Sequence, residues 1–289
     1  MPAPPEQVAT NVAAVSAFCQ QRHSETYPYI DPLQADLSAQ TVVITGASRG
    51  IGRATAFSFV RAGCRRLVIT AQAKDVRGAT LDVLALALDV TDTASVEAAA
   101  KQVADHFGGV VDVLVNNAGF LSATEPLAAG AAADWLQCAE VNLKGLYRVS
   151  RFFLPLVLQS ATSKTVINVG SQAANYVVPG MSAYQTTKFA LCRLTEFMAM
   201  EYSDDHGLVA VAVHPGCLRT ELASNMPEMY HDLLVDAPEL PGDTFVWIAK
   251  EKREWLSGRY VEANWDMEEL EGKWEDIVKR DVLKFRMTL

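Results

Sequence analysis

The sequence lacks the features on which membrane, secreted and nucleic-acid-binding proteins depend. No apolar run approaches the roughly 18 residues that suggest a membrane span. The first residues, MPAPPEQVATNVAAVSAFC, lack the positively charged start of a secretory signal. A net charge of -9 argues against a dominant interaction with nucleic acid, whose phosphates demand clustered cations. We therefore expect a soluble cytoplasmic protein with no membrane or nucleic-acid partner, although a nucleotide-sized anion can still bind locally.

Cysteine is scarce and shows no pairing pattern. The five cysteines are odd in number, widely scattered and without a CxxC pair, which fits a reducing compartment. This spacing is typical of isolated buried thiols, and no metal site is predicted. The residues are Cys19, Cys64, Cys138, Cys192 and Cys217.

A linker between domains is missing as well. No Pro/Gly/Ser-rich stretch or charge run divides the apolar pattern between Thr41 and Ala263, although 289 residues would permit two domains. Half of the residues are hydrophobic, which is enough for a substantial core. We predict an N-terminal extension over residues 1–38 and a single domain over residues 39–289.

From Thr41 onward, short β-branched runs alternate with longer helical patterns. Most of the runs are apolar throughout, as expected of strands that are covered on both faces. The alternation predicts an α/β fold of the Rossmann type, a doubly wound parallel seven-stranded sheet with helices on both faces. Strands are expected at 41–45, 67–71, 83–88, 112–116, 165–169, 208–213 and 259–263, and helices at about 51–62, 93–107, 134–160, 183–203 and 243–256. Only residues 72–82 join the second and third strands, so we expect a loop or a single helical turn there.

Three glycines lie between the first strand and the first helix, in TGASRGIG. Without Cβ atoms, Gly46, Gly50 and Gly52 let the backbone approach a pyrophosphate, whose charge is favoured by free N–H groups at a helix start. Three glycines also occur in ordinary structural turns. Their position after the first buried strand favours dinucleotide binding.

The fourth strand runs into NNAG, which spans Asn116 to Gly119 at the carboxyl edge where open α/β sheets bind ligands. Asn and Gly at a strand end also make simple turns. We expect both roles here, with the small residues leaving room for an adenosine ribose and the side chains holding neighbouring strands together.

A possible catalytic set follows the fifth strand, which ends at Ser171. Tyr184 and Lys188 share a helix face at i,i+4 spacing. Alone they would be an ordinary surface pair, but with the serine they indicate chemistry, because an ammonium brings the pKa of a phenol toward the working range. Ser171 can hydrogen-bond a substrate oxygen as negative charge develops on it. Asn142, in EVNLKG, could hold a water that links Lys188 to solvent, although an Asn inside a helix is equally often just exposed.

These motifs together resemble the short-chain dehydrogenase/reductase family over nearly all of residues 41–263. The resemblance rests on TGASRGIG, NNAG, the set of Asn142, Ser171, Tyr184 and Lys188, and HPGCLRT after the sixth strand. HSETYPYIDPLQADLSAQ and GRYVEANWDMEEL additionally resemble a fungal subgroup, which implies secondary metabolism. The family resemblance implies hydride transfer between a nicotinamide dinucleotide and a carbonyl carbon.

The resemblance also implies which residues contact the cofactor. They are Gly46, Ser48, Arg49, Gly50, Ile51 and Gly52 around the pyrophosphate, Asp89 and Val90 at adenine, Asn116, Ala118 and Gly119 near the ribose, Tyr184 and Lys188 at the nicotinamide ribose, and Pro215, Gly216, Leu218 and Thr220 at the carboxamide.

The end of the second strand bears on the choice between NAD and NADP. An acidic residue there would bond the ribose 2′-hydroxyl and repel a 2′-phosphate. The strand ends Thr70, Ala71, Gln72 without a carboxylate, and Arg49 is available to pair a phosphate. NADP is therefore predicted over NAD, even though Gln72 replaces a second arginine that is frequent in the family.

Substrate contacts are expected from Phe120, Leu121, residues 172–181 and the long stretch 217–241, which is predicted to form a lid. Five residues of this stretch indicate an apolar, fairly bulky ketone or alcohol, unless they pack as a helical lid against the body. They are Met226, Met229, Tyr230, Leu233 and Leu234. The family resemblance implies a homodimer or homotetramer built through the helices that hold Asn142 and Tyr184.

We therefore predict an NADP-dependent reductase or dehydrogenase that acts on a ketone/secondary alcohol pair. Two alternatives stay open. One is an enzyme of the same fold whose pocket serves isomerisation, dehydration or cyclisation. The other is a non-catalytic dinucleotide-binding sensor or scaffold, which is disfavoured because degenerate family members usually lose the Ser, Tyr or Lys that this chain retains.

Overall fold

Seven strands form one parallel sheet at the centre of the fold. The computed structural model describes residues 13, 15–70, 81–226 and 228–287. In chain order the strands are β1 (Thr41–Thr45), β2 (Arg66–Thr70), β3 (Asp82–Leu86), β4 (Val113–Asn116), β5 (Thr165–Val169), β6 (Val209–His214) and β7 (Arg259–Glu262). They lie side by side in the order β3-β2-β1-β4-β5-β6-β7, with each neighbouring pair parallel. This confirms the predicted Rossmann-type sheet, whose strand order reverses between β1 and β4, where such sheets bind ligands.

The helices lie between the strands in sequence. They are α1 (Gly50–Arg61), α2 (Thr93–Phe107), α3 (Ala132–Ala139), α4 (Leu146–Val157), α5 (Ser182–His206), α6 (Glu239–Lys250), α7 (Met267–Gly272) and α8 (Trp274–Arg280). The limits of α2 follow from its caps, because the Asp92 side chain accepts from the Ala94 N–H at the start and Gly108 turns left-handed at the end. Among the described residues, no helix combines the length and apolarity needed to cross a bilayer.

Successive strand residues pack into two different cores. Ile44 faces one core, which contains Phe59 of α1 and Phe245 of α6. Val43 faces the other, which contains Phe153 of α4 together with apolar residues of α2. Because both faces of the sheet are covered, the strands are apolar throughout rather than alternating.

The helix predicted at about 134–160 is present as one continuous helical stretch over residues 132–157, but it is not α-helical throughout. A π-helical turn, Glu140–Gly145, separates α3 from α4, and α4 ends at Val157. The wider turn accompanies contacts of Asn142 with the loop after β4, which an apolar pattern of period 3.6 does not encode. Strand ends differ from the predicted ones by only one or two residues. The loop or turn predicted for residues 72–82 lies almost wholly outside the described residues, as do Ala71 and Gln72.

The predicted N-terminal extension packs against the residues that follow β7. Arg22 and Trp265 form an antiparallel β-bridge, and the His23 N–H donates to the carbonyl of Asn264 at 2.8 Å. The ring of Phe18 lies 5.4 Å from that of Trp265. The N-terminal segment is therefore fastened to the residues that follow β7.

Helix α6 packs closely against α1 at Gly242. A Cβ at Gly242 would stand 2.5 Å from Ser58 Oγ and 3.0 Å from Thr55 Cα. We expect Gly242→Ala to lower the free energy of unfolding by about 1–3 kcal/mol through overpacking, measured by denaturant titration. Gly272→Ala is the control, because nothing lies within 4 Å of its Cβ position. Equal effects of the two substitutions would contradict this account of the contact.

Candidate active site

A cavity of about 600 Å³ lies at the carboxyl ends of β5 and β6. Ser171 and Tyr184 line it, as do the residues from His214 to Leu218 that follow β6. Of the other predicted cofactor residues, Ile51 and Thr220 also line it. The structure therefore brings the serine, the tyrosine and the segment HPGCLRT to one space, as parallel strands require of residues at their carboxyl ends.

Tyr184 and Lys188 are held on α5 beside the end of β5. The ammonium of Lys188 lies 5.6 Å from the centre of the Tyr184 ring and donates to the carbonyl of Val169 at 2.7 Å. Lys188 is buried, whereas Tyr184 is half-buried and faces the cavity. Ser171 Oγ accepts the N–H of Ala173 at 3.1 Å, which leaves its own proton free to donate.

The predicted lowering of the Tyr184 pKa is wrong for the protein without a bound cofactor. Burial raises the pKa of Tyr184 to about 12, with a hydrogen bond to Ser171 acting in the opposite direction. Burial also lowers the pKa of Lys188 to about 8. In both cases the largest cause is desolvation, which disfavours the charged form of each group. Tyr184 is therefore a neutral phenol at neutral pH.

The Asn142 side chain hydrogen-bonds to several protein atoms. Its Nδ2 donates to the carbonyl of Phe120 at 2.8 Å, and its Oδ1 accepts the Phe120 N–H at 2.8 Å. Nδ2 also lies 3.1 Å from Thr187 Oγ1, which in turn donates to the carbonyl of Tyr184. The side chain thus ties the π-helical turn to the loop after β4 and to α5, and the predicted water contact stays a prediction.

The glycine-rich loop fits a pyrophosphate. A Cβ on Gly52 would lie 2.5 Å from both Gly46 O and Asn117 Nδ2, and Gly46 has a φ of +65°. The N-cap of α1 is Arg49, which makes no side-chain capping bond, so the first N–H groups of α1 are free for an anion. Ser48 and Gly50 belong to the same loop, and Gly50 would contact Thr220 through a Cβ.

The NNAG segment holds strands and loop together. Asn116 is buried and donates to Asn168 Oδ1 of β5 at 2.8 Å, so its side chain lies within the sheet. Asn117 Nδ2 donates to the carbonyls of Thr45 and Gly46 at 2.8 and 3.1 Å. The N–H of Ala118 donates to Thr45 Oγ1. Gly119 is less tightly packed than Gly52, since the nearest atom to a Cβ at Gly119 would be 3.6 Å away.

The predicted adenine contacts lie at the other side of the same sheet edge, after β3. Asp89 is exposed, and hydrogen bonds from Thr91 lower the pKa of its carboxyl. Val90 is buried among the apolar residues of the second core. Neither residue lines the cavity of about 600 Å³.

Arg49 is paired with the stretch that follows β6. Its guanidinium contacts the Glu221 carboxylate, and both side chains are about two-thirds exposed. The pair stands at the rim between the glycine loop and the segment predicted to be a lid. Arg49 is therefore within the loop, as expected, but its present partner is a carboxylate.

The stretch 217–241 contains short 3-10 turns at Ala223–Asn225 and Glu228–Leu233, and α6 begins within it. Its apolar residues Met226, Tyr230, Leu233 and Leu234 line the cavity, while the side chain of Met229 lies outside the described structure. Leu121 and parts of residues 172–181 line it too, whereas Phe120 does not.

Sequence reasoning missed several residues that support the site. Asp236 accepts the Cys217 N–H at 2.5 Å and Asn264 Nδ2 at 2.9 Å, which fixes the turn at Gly216. Thr45 and Thr187 anchor the backbone after β4 and the side chain of Asn142. No periodicity or motif marks these residues, because each acts through a partner distant in sequence.

Comparisons with known proteins agree with the fold. A family model described as short chain dehydrogenase matches residues 40–231. A short chain dehydrogenase of Monascus ruber is 44% identical over 285 residues, which are 94% of this chain and 97% of that protein. Another, of Emericella variicolor, is 39% identical and covers 96% of this chain and 98% of that protein.

Among solved structures, the ligand-free aldohexose dehydrogenase of Thermoplasma acidophilum is 27% identical with a TM-score of 0.67, covering 81% of this chain and 95% of that one. Both relatives named above come from fungi, in agreement with the resemblance of the two terminal segments. The chain therefore belongs to the short-chain dehydrogenase family of oxidoreductases.

Proposed function

We propose that the protein is an NADP-dependent reductase of ketones on fairly apolar small molecules, active in fungal secondary metabolism. The observation that carries this proposal is a neutral tyrosine phenol in a largely apolar cavity beside a serine with a free hydroxyl proton. An NADPH-dependent pterin aldehyde reductase of Arabidopsis thaliana, 30% identical over 68% of this chain, supports the direction and the cofactor.

The residues around the glycine loop fit a nicotinamide dinucleotide. The start of α1, which has no side-chain cap from Arg49, suits a pyrophosphate, and the close packing at Gly52 keeps the loop compact around it. In our proposal Asp89 and Val90 border adenine, Asn116, Ala118 and Gly119 surround the adenosine ribose, and Pro215 to Thr220 hold the carboxamide. When bound, the dinucleotide supplies the hydride.

Tyr184 acts as proton donor in the proposed reduction. A phenol whose pKa is about 12 is fully protonated at neutral pH and can still protonate the much more basic alkoxide that forms. Ser171 donates a hydrogen bond to the same oxygen and stabilises its developing charge. We propose ketone reduction as the main direction, with Tyr184 protonated at the start of the step.

Lys188 and Asn142 have supporting roles. The ammonium of Lys188, held by the carbonyl of Val169, stabilises the phenolate left after proton transfer and binds the nicotinamide ribose. Asn142 is a positioning residue that fixes α5 and the Phe120 loop through its hydrogen bonds.

The function is tested with 4-deuterated NADPH and a panel of ketones. Net reduction places the label on the carbonyl carbon of the product, which mass spectrometry detects. Conversion of substrate without label transfer would instead indicate an isomerase, dehydratase or cyclase that uses the same fold.

Arg49 supports the choice of NADP, because its exposed guanidinium can exchange Glu221 for a 2′-phosphate. We expect Arg49→Ala to lower the ratio of kcat/KM for NADPH to that for NADH by about tenfold or more, since one charge-assisted hydrogen bond is lost. Glu221→Gln is the matched control: it removes the competing carboxylate and should raise this ratio. An unchanged ratio in Arg49→Ala would refute the assignment.

We further propose that residues 39–289 form one dinucleotide-binding catalytic domain whose stretch 217–241 is a substrate lid. Its apolar side chains over the cavity support a bulky, apolar substrate. Association into a homodimer or homotetramer is supported by exposed apolar residues on α4 and α5: Tyr147, Phe189, Phe197 and Met200. Five free cysteines support a reducing, cytoplasmic location.

A further inference from the structure

One wall of the cavity is polar although most of its lining is apolar. We call it the polar wall; it consists of Ser16, Gln172 and His214. Ser16 belongs to the N-terminal segment, Gln172 follows β5, and His214 ends β6. None of the three has a part in the proton transfer proposed above, so their role is open.

A buried carboxylate organises the polar wall. Glu262, the residue paired with His214 across β6 and β7, is fully buried. Its Oε1 accepts Gln172 Nε2 and the Tyr260 hydroxyl, each at 3.1 Å. Its Oε2 lies 3.2 Å from the Arg22 guanidinium, which also donates to the carbonyl of Ser16 at 2.9 Å. The charge of Glu262 is therefore matched within the protein.

These bonds fix which atoms the polar wall can offer to a ligand. Because a carboxylate only accepts, Gln172 must direct its Nε2 toward Glu262, and the same Nε2 donates to Ser16 Oγ at 3.0 Å. The amide protons of Gln172 are thus engaged, and its carbonyl oxygen is left as an acceptor. Ser16 Oγ already accepts a bond and keeps its own proton to donate.

His214 adds an unpartnered group. The side chain is 5% exposed, lines the cavity, and its Nδ1 has no hydrogen-bond partner among the described residues. Burial lowers the pKa of the imidazole, so the ring is neutral at neutral pH. A neutral imidazole offers one donor and one acceptor.

We propose that the polar wall binds a hydroxyl group of the substrate, an alcohol or a phenol separate from the reacting carbonyl. A hydroxyl both donates and accepts, as do Gln172 and Ser16 taken together. A charged substrate group, carboxylate or ammonium, is disfavoured because Arg22 and Glu262 already neutralise each other, so neither charge would find an unpaired counter-ion at the polar wall. This inference rests on the proposed function and gives its substrate class as hydroxylated apolar ketones.

The proposal also gives the N-terminal segment a role in specificity. Ser16 supplies one donor, and Arg22 keeps the carboxylate of Glu262 in place behind Gln172. Both residues depend on the bridge between Arg22 and Trp265. The N-terminal extension thus supplies part of the cavity lining through Ala13 and Ser16.

The test uses the full-length enzyme saturated with NADP⁺, which cannot reduce a ketone, so that binding is measured without turnover. Dissociation constants are determined by calorimetry for 1-tetralone and for its 5-, 6- and 7-hydroxy derivatives. We expect at least one hydroxy derivative to bind about tenfold more tightly than 1-tetralone, as one good hydrogen bond allows. In Ser16→Ala and in Gln172→Leu the preference should fall toward unity.

Leu233→Ala is the control, because Leu233 is an apolar residue of the same cavity. It should weaken the binding of all four ketones to the same extent and preserve the preference for the hydroxy derivative. Absence of any preference in the wild type overturns the proposal, as does a preference that persists in both polar-wall variants. If none of the four ketones binds, hydroxyl recognition fails, while the proposed function is judged separately by label transfer from deuterated NADPH. Ser16→Ala removes only one heavy atom, so it still tests the proposal if Gln172→Leu fails to fold.

Discussion

Tyr184→Phe should lower kcat for ketone reduction by about 10²- to 10⁴-fold, the usual contribution of a positioned general acid. The hydroxyl is the donor that faces the cavity, whereas the ring that lies 5.6 Å from the Lys188 ammonium remains in the variant. Steady-state kinetics with NADPH measures the loss. The dissociation constant of NADPH, from quenching of its fluorescence, should change little.

Tyr176→Phe is the matched control for this substitution. Tyr176 also lines the cavity, and burial raises its pKa to about 12, so the two tyrosines differ mainly in their neighbours. Only Tyr184 has Lys188 and Ser171 beside it. We expect the loss in Tyr176→Phe to stay below about tenfold. Similar losses in both variants would mean that the cavity, rather than this one proton donor, was disturbed.

Gly52→Ala should lower kcat/KM for NADPH by about a hundredfold, because displacement of a binding loop by about 1 Å has an effect of that order. Its Cβ would stand 2.5 Å from Gly46 O and from Asn117 Nδ2, so the loop between β1 and α1 must move. The measurement is steady-state kinetics at varied NADPH, with circular dichroism to show that the fold persists.

Gly130→Ala is the control for that loop. Its nearest neighbours, both in Glu125, lie 3.4 Å from the Cβ position, which is ordinary contact. Gly130 is also not among the residues that line the large cavity. Normal NADPH kinetics in Gly52→Ala would show that the position of this loop does not control NADPH binding as we propose.

Much of the site was readable from the sequence because its chemistry is arranged locally along the chain. Glycines at fixed spacing after a strand, an i,i+4 Tyr/Lys pair and a serine at a strand end each require only short-range geometry. The parallel sheet then brings the carboxyl ends of its strands, and the motifs that follow them, to one edge. The cavity shared by Ser171, Tyr184 and Pro215 shows this.

Three other features could not be read in this way. The π-helical turn at Asn142 depends on bonds to Phe120, which is 22 residues away. Burial, a tertiary property, raises the pKa of Tyr184 and lowers that of Lys188, because it disfavours the charged form of each group. Asp236 has no motif around it, yet it fixes the turn at Gly216 through the Cys217 N–H.

The sequence by itself determined the family and the sheet and indicated the candidate reacting groups, because hydrophobic period and short motifs are properties of neighbouring residues. Only the tertiary structure decided what surrounds those groups. It set the protonation of Tyr184 through burial, and it joined Ser16, Gln172 and His214 into one wall through Glu262. The physical reason is that solvation and hydrogen-bond partners are fixed by residues that meet only after the chain has folded.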